Sequence, residues 1–414
     1  MYSYIMDLYT LTPNFYIKYK IDRYSSLIWT HRYSSAGDFT LVVPPTGALV
    51  SILRPGCYLA LRGRREIMIV ESQSFENGLM TVTGSSLVKF LNQRIGWFEN
   101  PDYQERDKDG KPTGDLLYAD YVRKDLTPGE FISDVVNKCV IDPPAFASPY
   151  DDISLDQAHD KFGSLSLAHI DHVGIKQRCT FTHGSPLYDG ISQLAQDRHV
   201  GISMYLAQAN IKTGEFVLRF STYHGRDQTS DQNDFPTIRF TPKTESFSNP
   251  REVRANTEFK NVCYIYYKGK VTVHYSPYVN SPPVGFRRRV MYLEAPDQKI
   301  KDSDLSDWLE GLAQRAFRKQ LHTHTIDGQV LGYLTEFKFP IHYFLGDIVE
   351  VEGHSGLIVK ARVSEYTWSQ DQYGVTEYPT FEVLAEDETN YHSDPTFAPD
   401  VSDPQYPLPS ATTS

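Results

Sequence analysis

Two stretches far apart in the chain share one pattern, and this pattern limits the fold more than any other feature. They are PGCYLALRGRREIMIVESQSF (55–75) and LGDIVEVEGHSGLIVKARVSEY (345–366). In each, two glycines seven positions apart enclose a run of alternating apolar residues, and alternation resumes after a short turn. The glycines are Gly56, Gly63, Gly346 and Gly353. Such alternation predicts an antiparallel β-hairpin. The pattern indicates either a duplicated hairpin or a chance similarity between two generic ones.

The rest of the chain supports a mainly β fold with an α+β insert. The sequence has 28 Tyr and 22 Phe but only 6 Met, and aromatic side chains favour pleated, half-buried surfaces. If the hairpin is duplicated, the chain carries two related antiparallel β-barrels. We predict a first barrel over 1–96, an inserted α+β domain over 97–245, a second barrel over 246–385 with one long helix at about 302–321, and an extended or disordered C-terminal arm over 386–414.

Three helices have clear start signals or faces. Thr127 with Glu130 three positions later predicts a capping box at the start of one insert helix. Ser185 before Pro186 predicts the N-cap of a second insert helix. Ser85 or Ser86 is predicted to cap a short helix over 85–95. The long helix has one apolar face. Its predicted members are Leu305, Trp308, Leu309, Leu312 and Ala316.

Several polar groupings could carry chemistry, but each has a simpler interpretation. His322-Thr323-His324 has no third metal ligand nearby and is read as a structural or surface feature. HIDH (169–172) has Asp171 between two histidines in an irregular context, and it is read as a solvated loop. Ser85 and Ser185 do not match a G-x-S-x-G nucleophile elbow and are read as helix caps. Acidic pairs could form a glycosidase pair or a calcium loop, but no calcium-loop order appears. These acids are Asp151, Asp152, Asp231 and Asp234.

The most suggestive grouping lies within the second hairpin stretch. Asp347, Glu350, Glu352 and His354 resemble the acids and histidine of a hydrolase or metal site. Because alternate strand residues point to opposite sides, Glu350 and Glu352 are predicted to lie on one wet face, with valines facing inward. His354 is predicted in the hairpin turn. We therefore predict no catalytic, cofactor-binding or metal residues.

Other classes of protein are also disfavoured. A net charge of −11 argues against a nucleic-acid footprint over the whole chain. The four cysteines show no metal or disulfide spacing, so Cys57 and Cys263 are expected to be buried free thiols. No signal peptide or membrane span is expected from the sequence.

The order of several motifs resembles the tail-hub family of siphophage minor tail proteins, best known from phages of actinobacteria. The likeness covers about residues 5–385. The chain is also similar, more distantly, to the baseplate hub of contractile tails. The motifs that carry it are Gly37-Asp38-Phe39, GRDQTS (225–230), TIRFT (237–241), FKNVCYIYYKGK (259–270), WLEGLAQRAFRKQL (308–321) and HYFLGDIVEVEG (342–353).

The resemblance implies a virion protein of the tail tip without an enzymatic activity. It would form a homotrimeric ring with two tube-like barrels per subunit. The implied partners are the distal tail protein, the tail tube, the tape measure protein and a central fibre or tip proteins. DNA would pass the channel only in transit, and the host surface would be contacted indirectly. A net negative charge suits a channel that must not hold DNA, because like charges repel. No appended hydrolase domain is expected after the last barrel strand.

Two other functions stay open at this point. The insert at 97–245 could be a virion-associated cell-wall hydrolase. Alternatively, Tyr- and Trp-rich β surfaces could bind a host glycan or receptor. Six similar barrels in a trimer would suit contact with a six-fold tube, which favours the hub.

Overall fold

The computed structural model gives positions for most of the chain between residues 7 and 384. The residues it describes are 7–98, 108, 120–143, 162, 165–210, 215–244, 247–255, 257, 259–276, 281–296, 302–318, 323–329, 336–353 and 356–384. The predicted C-terminal arm (386–414) lies outside these residues.

Strands dominate the described residues, so the mainly β prediction is confirmed. The strands are β1 (Leu8–Leu11), β2 (Ile17–Ile21), β3 (Ser26–Arg32), β4 (Asp38–Val43), β5 (Tyr58–Leu61), β6 (Ile67–Glu76), β7 (Leu79–Ser86), β8 (Tyr121–Arg123), β9 (Leu165–Leu167), β10 (Cys179–Phe181), β11 (Gly201–Asn210), β12 (Glu215–Tyr223), β13 (Arg239–Phe240), β14 (Ser248–Ala255), β15 (Val262–Tyr267), β16 (Lys270–Tyr275), β17 (Val290–Glu294), β18 (Thr323–Gln329), β19 (Ile348–Glu352), β20 (Ile358–Asp371) and β21 (Gly374–Val383). The α-helices are α1 (Gly47–Ile52), α2 (Pro128–Val136), α3 (Leu187–Asp197) and α4 (Asp302–Arg318).

The chain divides into two compact units. The first contains residues 1–250 and 327–414, and the second contains residues 251–326. In the first unit, one large sheet runs in the order β21–β20–β3–β4–β7–β6–β5–β1–β2, and β19 pairs with β20 beside this path. The strands of both predicted barrels therefore share one sheet, which is joined where β20 pairs with β3. Among the described residues this path is open, so barrel closure stays a prediction.

The two similar sequence stretches form equivalent three-stranded meanders. The first meander is β5–β6–β7 and the second is β19–β20–β21, each with antiparallel neighbours. The Gly56 amide donates to the Val70 carbonyl at 2.8 Å, and the Gly346 amide donates to the Val363 carbonyl at 2.8 Å. In both, the valine amide bonds back to the residue after the glycine. The glycines have φ of +88° and +90°, which a side chain would disfavour.

Both meanders also interrupt their second hairpin at the same place. The β6–β7 register shifts between Val70 and Ser72, and the β20–β21 register shifts between Val363 and Glu365. The extra residue follows the valine directly in each case, as in a β-bulge. This shared geometry favours duplication over chance similarity, the two alternatives that the sequence left open.

The described part of the predicted insert packs onto the first meander. It contains a β8–β10 pair and a β9–β12–β11 sheet, covered by α2 and α3. Its buried residues, such as Phe131 and Ile191, belong to one hydrophobic cluster with Ala60 and Ile67 of the first meander. The boundaries of the insert therefore stay a prediction, because no separate core marks them.

The helix start signals have mixed outcomes. The capping box at Thr127 and Glu130 is present as predicted. The predicted cap at Ser185 is wrong, because α3 begins after Pro186 and has no side-chain cap. The Ser185 carbonyl instead accepts a bond from the Gly96 amide at 2.9 Å, which holds this serine in a turn. The short helix near residue 85 is a 3-10 helix over Leu87–Gln93, capped by Ser86.

The second unit pairs a small sheet with the long helix. The sheet has the order β16–β15–β17, and α4 packs on one of its faces. Part of the predicted face of α4 is wrong, because Ala313 and Phe317 enter the core where Ala316 was expected. Residues four apart continue the stripe from Leu309, which explains the shift. No helix among the described residues is long and apolar enough to cross a membrane.

Candidate functional site

The acids of the second hairpin stretch are buried, and the predicted wet face of β19 is wrong. Asp347, Glu350 and Glu352, here called the carboxylate row, are 1%, 4% and 6% exposed. The valines of β19 are buried as expected. The second face of the strand is covered because another segment lies against it. His354 lies outside the described residues, so its predicted turn position stays a prediction.

The covering segment is residues 225–243, here called the clasp. Its strand β13 pairs with β19 in parallel, with Arg239 opposite Glu350. The Ile348 amide donates to the Arg226 carbonyl at 2.8 Å, and the Glu350 amide donates to the Ile238 carbonyl at 3.0 Å. The clasp thus completes the backbone bonding of β19 on the side away from β20.

The start of the clasp needs a very close approach between two backbones. A Cβ atom added to Gly225 would lie 1.9 Å from the carbonyl carbon of Gly346. No side chain fits there, so glycine is required at 225 for a steric reason.

Asp347 holds the first end of the clasp. Its carboxylate accepts bonds from Arg226 Nη2 at 2.6 Å and from the Arg226 amide at 2.8 Å. The Phe344 amide also donates to it, at 3.0 Å. Burial raises the pKa of Asp347 from its usual value, and these donors oppose the rise. The ion pair is almost fully removed from water, so each partner depends on the other.

The two glutamates hold the rest of the clasp. Glu350 accepts bonds from the Ser230 amide at 2.9 Å and from Arg239 Nε at 2.6 Å. Glu352 accepts a bond from Thr241 Oγ1 at 2.6 Å and pairs with Lys243 Nζ at 2.6 Å.

The pKa values of Glu350 and Glu352 are both lower than usual for a glutamate. Burial alone raises the pKa of Glu350, but the bonds from Ser230 and Arg239 outweigh it and the net pKa is lowered. The bond from Lys243, followed by that from Thr241, lowers the pKa of Glu352. The row is therefore an ionic fastening with its acceptors occupied, and not a set of carboxylates free for acid–base chemistry.

The other predicted groupings are dispersed. Ser85 is buried on β7 and donates to Glu71 Oε1 at 2.6 Å. Asp231 is exposed and pairs with Lys360 at 2.5 Å, while Asp234 lies in an exposed turn. His322 and Asp151-Asp152 lie outside the described residues. Cys57 is only half-buried, contrary to expectation, and Cys263 is buried. Among the described residues, no three His, Cys, Asp or Glu side chains are grouped to hold a metal.

One buried pair was missed by the sequence analysis. Asp171 of HIDH is fully buried, and His224 Nδ1 lies 2.5 Å from its Oδ2. The Thr127 hydroxyl donates to the Asp171 carbonyl at 3.1 Å, which ties the start of α2 to this loop. The neighbouring His172 is exposed and pairs with Glu130 at 2.7 Å. The Asp171–His224 pair fastens the loop that contains Asp171. Its members lie 53 positions apart in the sequence, so only the folded structure shows that they meet.

The clasp side chains were missed as well. Arg226, Arg239 and Lys243 stand among polar loop residues with no periodic pattern. Their partners lie more than a hundred positions later in the chain. A rough signal exists, because three basic residues in the clasp match three acids in the row. The pairing itself depends on the parallel register of β13 and β19.

The meanders also expose apolar side chains at corresponding hairpin tips. Phe75 and Leu79 flank the Asn77-Gly78 turn of the first meander, and both are exposed. Tyr373 in the turn of the second meander is 88% exposed. The exposed residues differ in position, because Tyr373 lies within its turn and Phe75 and Leu79 lie on the strands beside theirs, but both tips expose apolar surface that can make a contact.

Comparison with known protein families gives one match over nearly the whole chain. The model of the family described as Siphovirus ReqiPepy6 Gp37-like protein matches residues 6–381. A comparison with curated proteins gives no match.

Several solved structures of low sequence identity align with most of this chain. The 43 kDa tail protein of prophage MuSo2 from Shewanella oneidensis is 13% identical, with a TM-score of 0.46, and the match covers 91% of this chain and 97% of that one. A tail protein from Neisseria meningitidis MC58 is 11% identical, with a TM-score of 0.48 and coverage of 92% and 97%. Prophage tail protein gp18 from Listeria monocytogenes EGD-e is 12% identical, with a TM-score of 0.46 and coverage of 92% and 95%. At such low identity, none of these proteins fixes the role of this chain.

Proposed function

Because the chain belongs to the family of Siphovirus ReqiPepy6 Gp37-like proteins, we propose that it is the structural hub of the phage tail tip. It is a structural protein of the siphovirus tail. In the proposed assembly three copies form a ring, which joins the distal tail protein and tail tube to the tip proteins or central fibre. The tape measure protein and then DNA leave through its channel, which the ring gates.

The observation that carries the proposal is the repeated meander. Each chain holds two copies of one backbone arrangement, with the same glycine-anchored bonds and the same bulge. Three chains related by a three-fold axis would therefore offer six similar meanders. A ring of this kind can meet a six-fold tube through repeated, nearly equivalent contacts.

The hairpin tips are the proposed contact points with such a tube. Phe75 and Leu79 lie at the tip of the first meander, and Tyr373 lies at that of the second. Scattered exposed apolar residues are common, but exposed rings at the tips of both repeats suggest a shared use.

The proposed role is mechanical and not catalytic. A carboxylate that acts as a general acid or base must reach a substrate proton. The carboxylate row is buried, and its oxygens accept bonds from the clasp. These contacts suit a fastening between chain segments.

Negative-stain images of the purified full chain, together with its mass in solution, test the proposal. We expect a mass of three chains and ring-shaped class averages with three-fold symmetry. A chain that stays monomeric, both alone and with its distal tail protein, would overturn the hub. Clear lysis zones in zymograms on host cell wall would instead support the hydrolase alternative.

A further inference from the structure

The small sheet of the second unit has two apolar faces, and α4 covers only one. The inner face contains Cys263, Ile265 and Leu293, which pack with α4 in one core. The opposite side is here called the outer face. Its residues are Tyr264, Tyr266, Val271, Val273, Tyr275, Val290, Tyr292 and Glu294. Seven of these eight positions hold valine or tyrosine.

The strand register aligns these side chains in rows across the sheet. Val273 lies opposite Tyr264, which lies opposite Tyr292. Val271 lies opposite Tyr266 in the next row. The exposed valines and tyrosines of this face range from 37% exposure at Tyr266 to 61% at Tyr292. An ordinary half-solvated sheet would carry polar residues here, so this face has the composition of an interface.

Positive charge lies directly on the outer face. Arg288 Nη2 donates to the Tyr264 hydroxyl at 2.9 Å, and its guanidinium lies 5.7 Å from the Tyr264 ring and 5.9 Å from the Tyr275 ring. Lys268 and Lys270 stand at the β15–β16 turn. Phe286, just before β17, is fully exposed. An apolar, aromatic face with this charge fits an acidic partner that also presents rings.

The second unit is basic within an acidic chain. Residues 251–326 contain thirteen Lys and Arg against eight Asp and Glu, although the whole chain has a net charge of −11. A partner that is selected by charge would therefore prefer this unit to the rest of the protein.

One segment of the chain has the complementary composition. Residues 385–414 contain six Asp and Glu, no Lys or Arg, five prolines and three aromatic residues. They include the sequence Pro404-Gln405-Tyr406-Pro407. Proline-rich P-x-x-P sequences bind aromatic-lined surfaces, and the acids of this segment match Arg288 on the outer face and the lysines of the turn at its edge.

We propose that the outer face binds residues 385–414 of a neighbouring copy of the chain. This inference rests on the proposed ring, because a contact between unlike surfaces of successive copies closes a ring after a fixed number of subunits. Val and Tyr side chains supply the apolar contact, and Arg288 with the two turn lysines supplies the charge. The segment then acts as a strap from each subunit to the next.

Cross-linking of mixed, isotope-labelled full chains tests this directly. Light and heavy chains are unfolded together, refolded as one mixture and treated with a carbodiimide, which joins carboxylates to lysines at contact distance. We expect hybrid light–heavy peptides that join the acids of 385–414 to Lys268 or Lys270. Tyr292→Ser with Val273→Ser should lower their yield by about tenfold, the effect of losing interface anchors. Tyr19→Ser, at a tyrosine of the first unit that is 45% exposed, is the matched control and should leave the yield unchanged.

The mass of the same sample separates this inference from the proposed function. A trimeric mass with cross-links only inside one copy, or with none to the outer face, overturns the strap and leaves the hub standing. A monomeric mass without hybrid peptides overturns both. Hybrid peptides whose yield is insensitive to the outer-face substitutions also contradict the strap, because contact would then occur elsewhere.

Discussion

The two meanders share a backbone and differ in how their first strands are covered. In the first, β5 pairs with β1 in an antiparallel arrangement, and small or apolar residues such as Ala60 and Leu61 are buried. In the second, β19 pairs with only two residues of β13 in parallel, and Glu350 stands where the first meander has Ala60.

This difference has a physical cause. The strand β1 makes four residue pairs with β5, so a backbone ladder and buried apolar side chains hold it in register without ion pairs in that ladder. The two-residue β13 contributes few backbone bonds, and the clasp is fastened instead by three buried carboxylates and their cationic partners. The carboxylates are buried, whereas Arg239 and Lys243 are 45% and 78% exposed. A buried carboxylate that is left unpaired is destabilising, so the row penalises the wrong pairing. The first strand of the second meander thus has fewer backbone pairs than that of the first, and ion pairs to the clasp provide the specificity instead.

The greatest loss of stability is expected at Asp347. Asp347→Ala leaves Arg226, which is 16% exposed, without its carboxylate partner, and we expect a loss of about 3 kcal/mol in the free energy of unfolding. Its counterpart Cys57, half-buried in the first meander, serves as the control. Cys57→Ala should cost about 1 kcal/mol, an ordinary substitution effect. Urea unfolding of both variants measures the difference, and equal losses would show that the two first strands are held alike.

The next effect concerns the paired glycines. Both have positive φ, so alanine strains the backbone at either position by about 1–2 kcal/mol. A Cβ at Gly346 would also lie 2.3 Å from Tyr33 Cε2, whereas at Gly56 it would meet open space. Gly346→Ala should therefore lower the thermal midpoint clearly more than Gly56→Ala. A larger shift for Gly56→Ala would contradict this difference in packing.

A smaller effect should appear on acidification. The folded-state pKa values of Glu350 and Glu352 are lowered, so their contribution to stability is present above the usual value of 4.5 and is lost as pH falls through the folded values. Glu350→Gln with Glu352→Gln should make the unfolding free energy less dependent on pH below 4.5. An unchanged pH slope would mean that the clasp is not held by ionised glutamates.

The weakest effect on stability is expected at the hairpin tips. Phe75→Ser and Tyr373→Ser change exposed side chains, so each should alter the unfolding free energy by less than about 0.5 kcal/mol. If the tips contact a tube, both variants should weaken binding to tail tube or distal tail protein in pull-down assays. Loss in only one variant would mean that the meanders are not used equivalently.

The sequence predicts the repeated hairpins and the capping box because local patterns determine them. Alternation around Gly56 and Gly346 suffices for the strands, and the spacing of Thr127 and Glu130 suffices for the cap. Alternation also led to the wrong wet face for Glu350 and Glu352, because it reports two faces of a strand but not what covers each one. The partners Arg226 and Arg239 come from a distant segment, and only the fold determines that register.

The proposed hub depends above all on the two meanders acting as equivalent modules in a three-fold ring. An experimental structure of the assembled ring with its tube tests this, by superposing β5–β7 on β19–β21 about the ring axis. We predict that a rotation of about 60° relates neighbouring meanders, so that six hairpin tips meet the tube. Meanders at unlike radii or angles, with only one of them touching the tube, would contradict this equivalence.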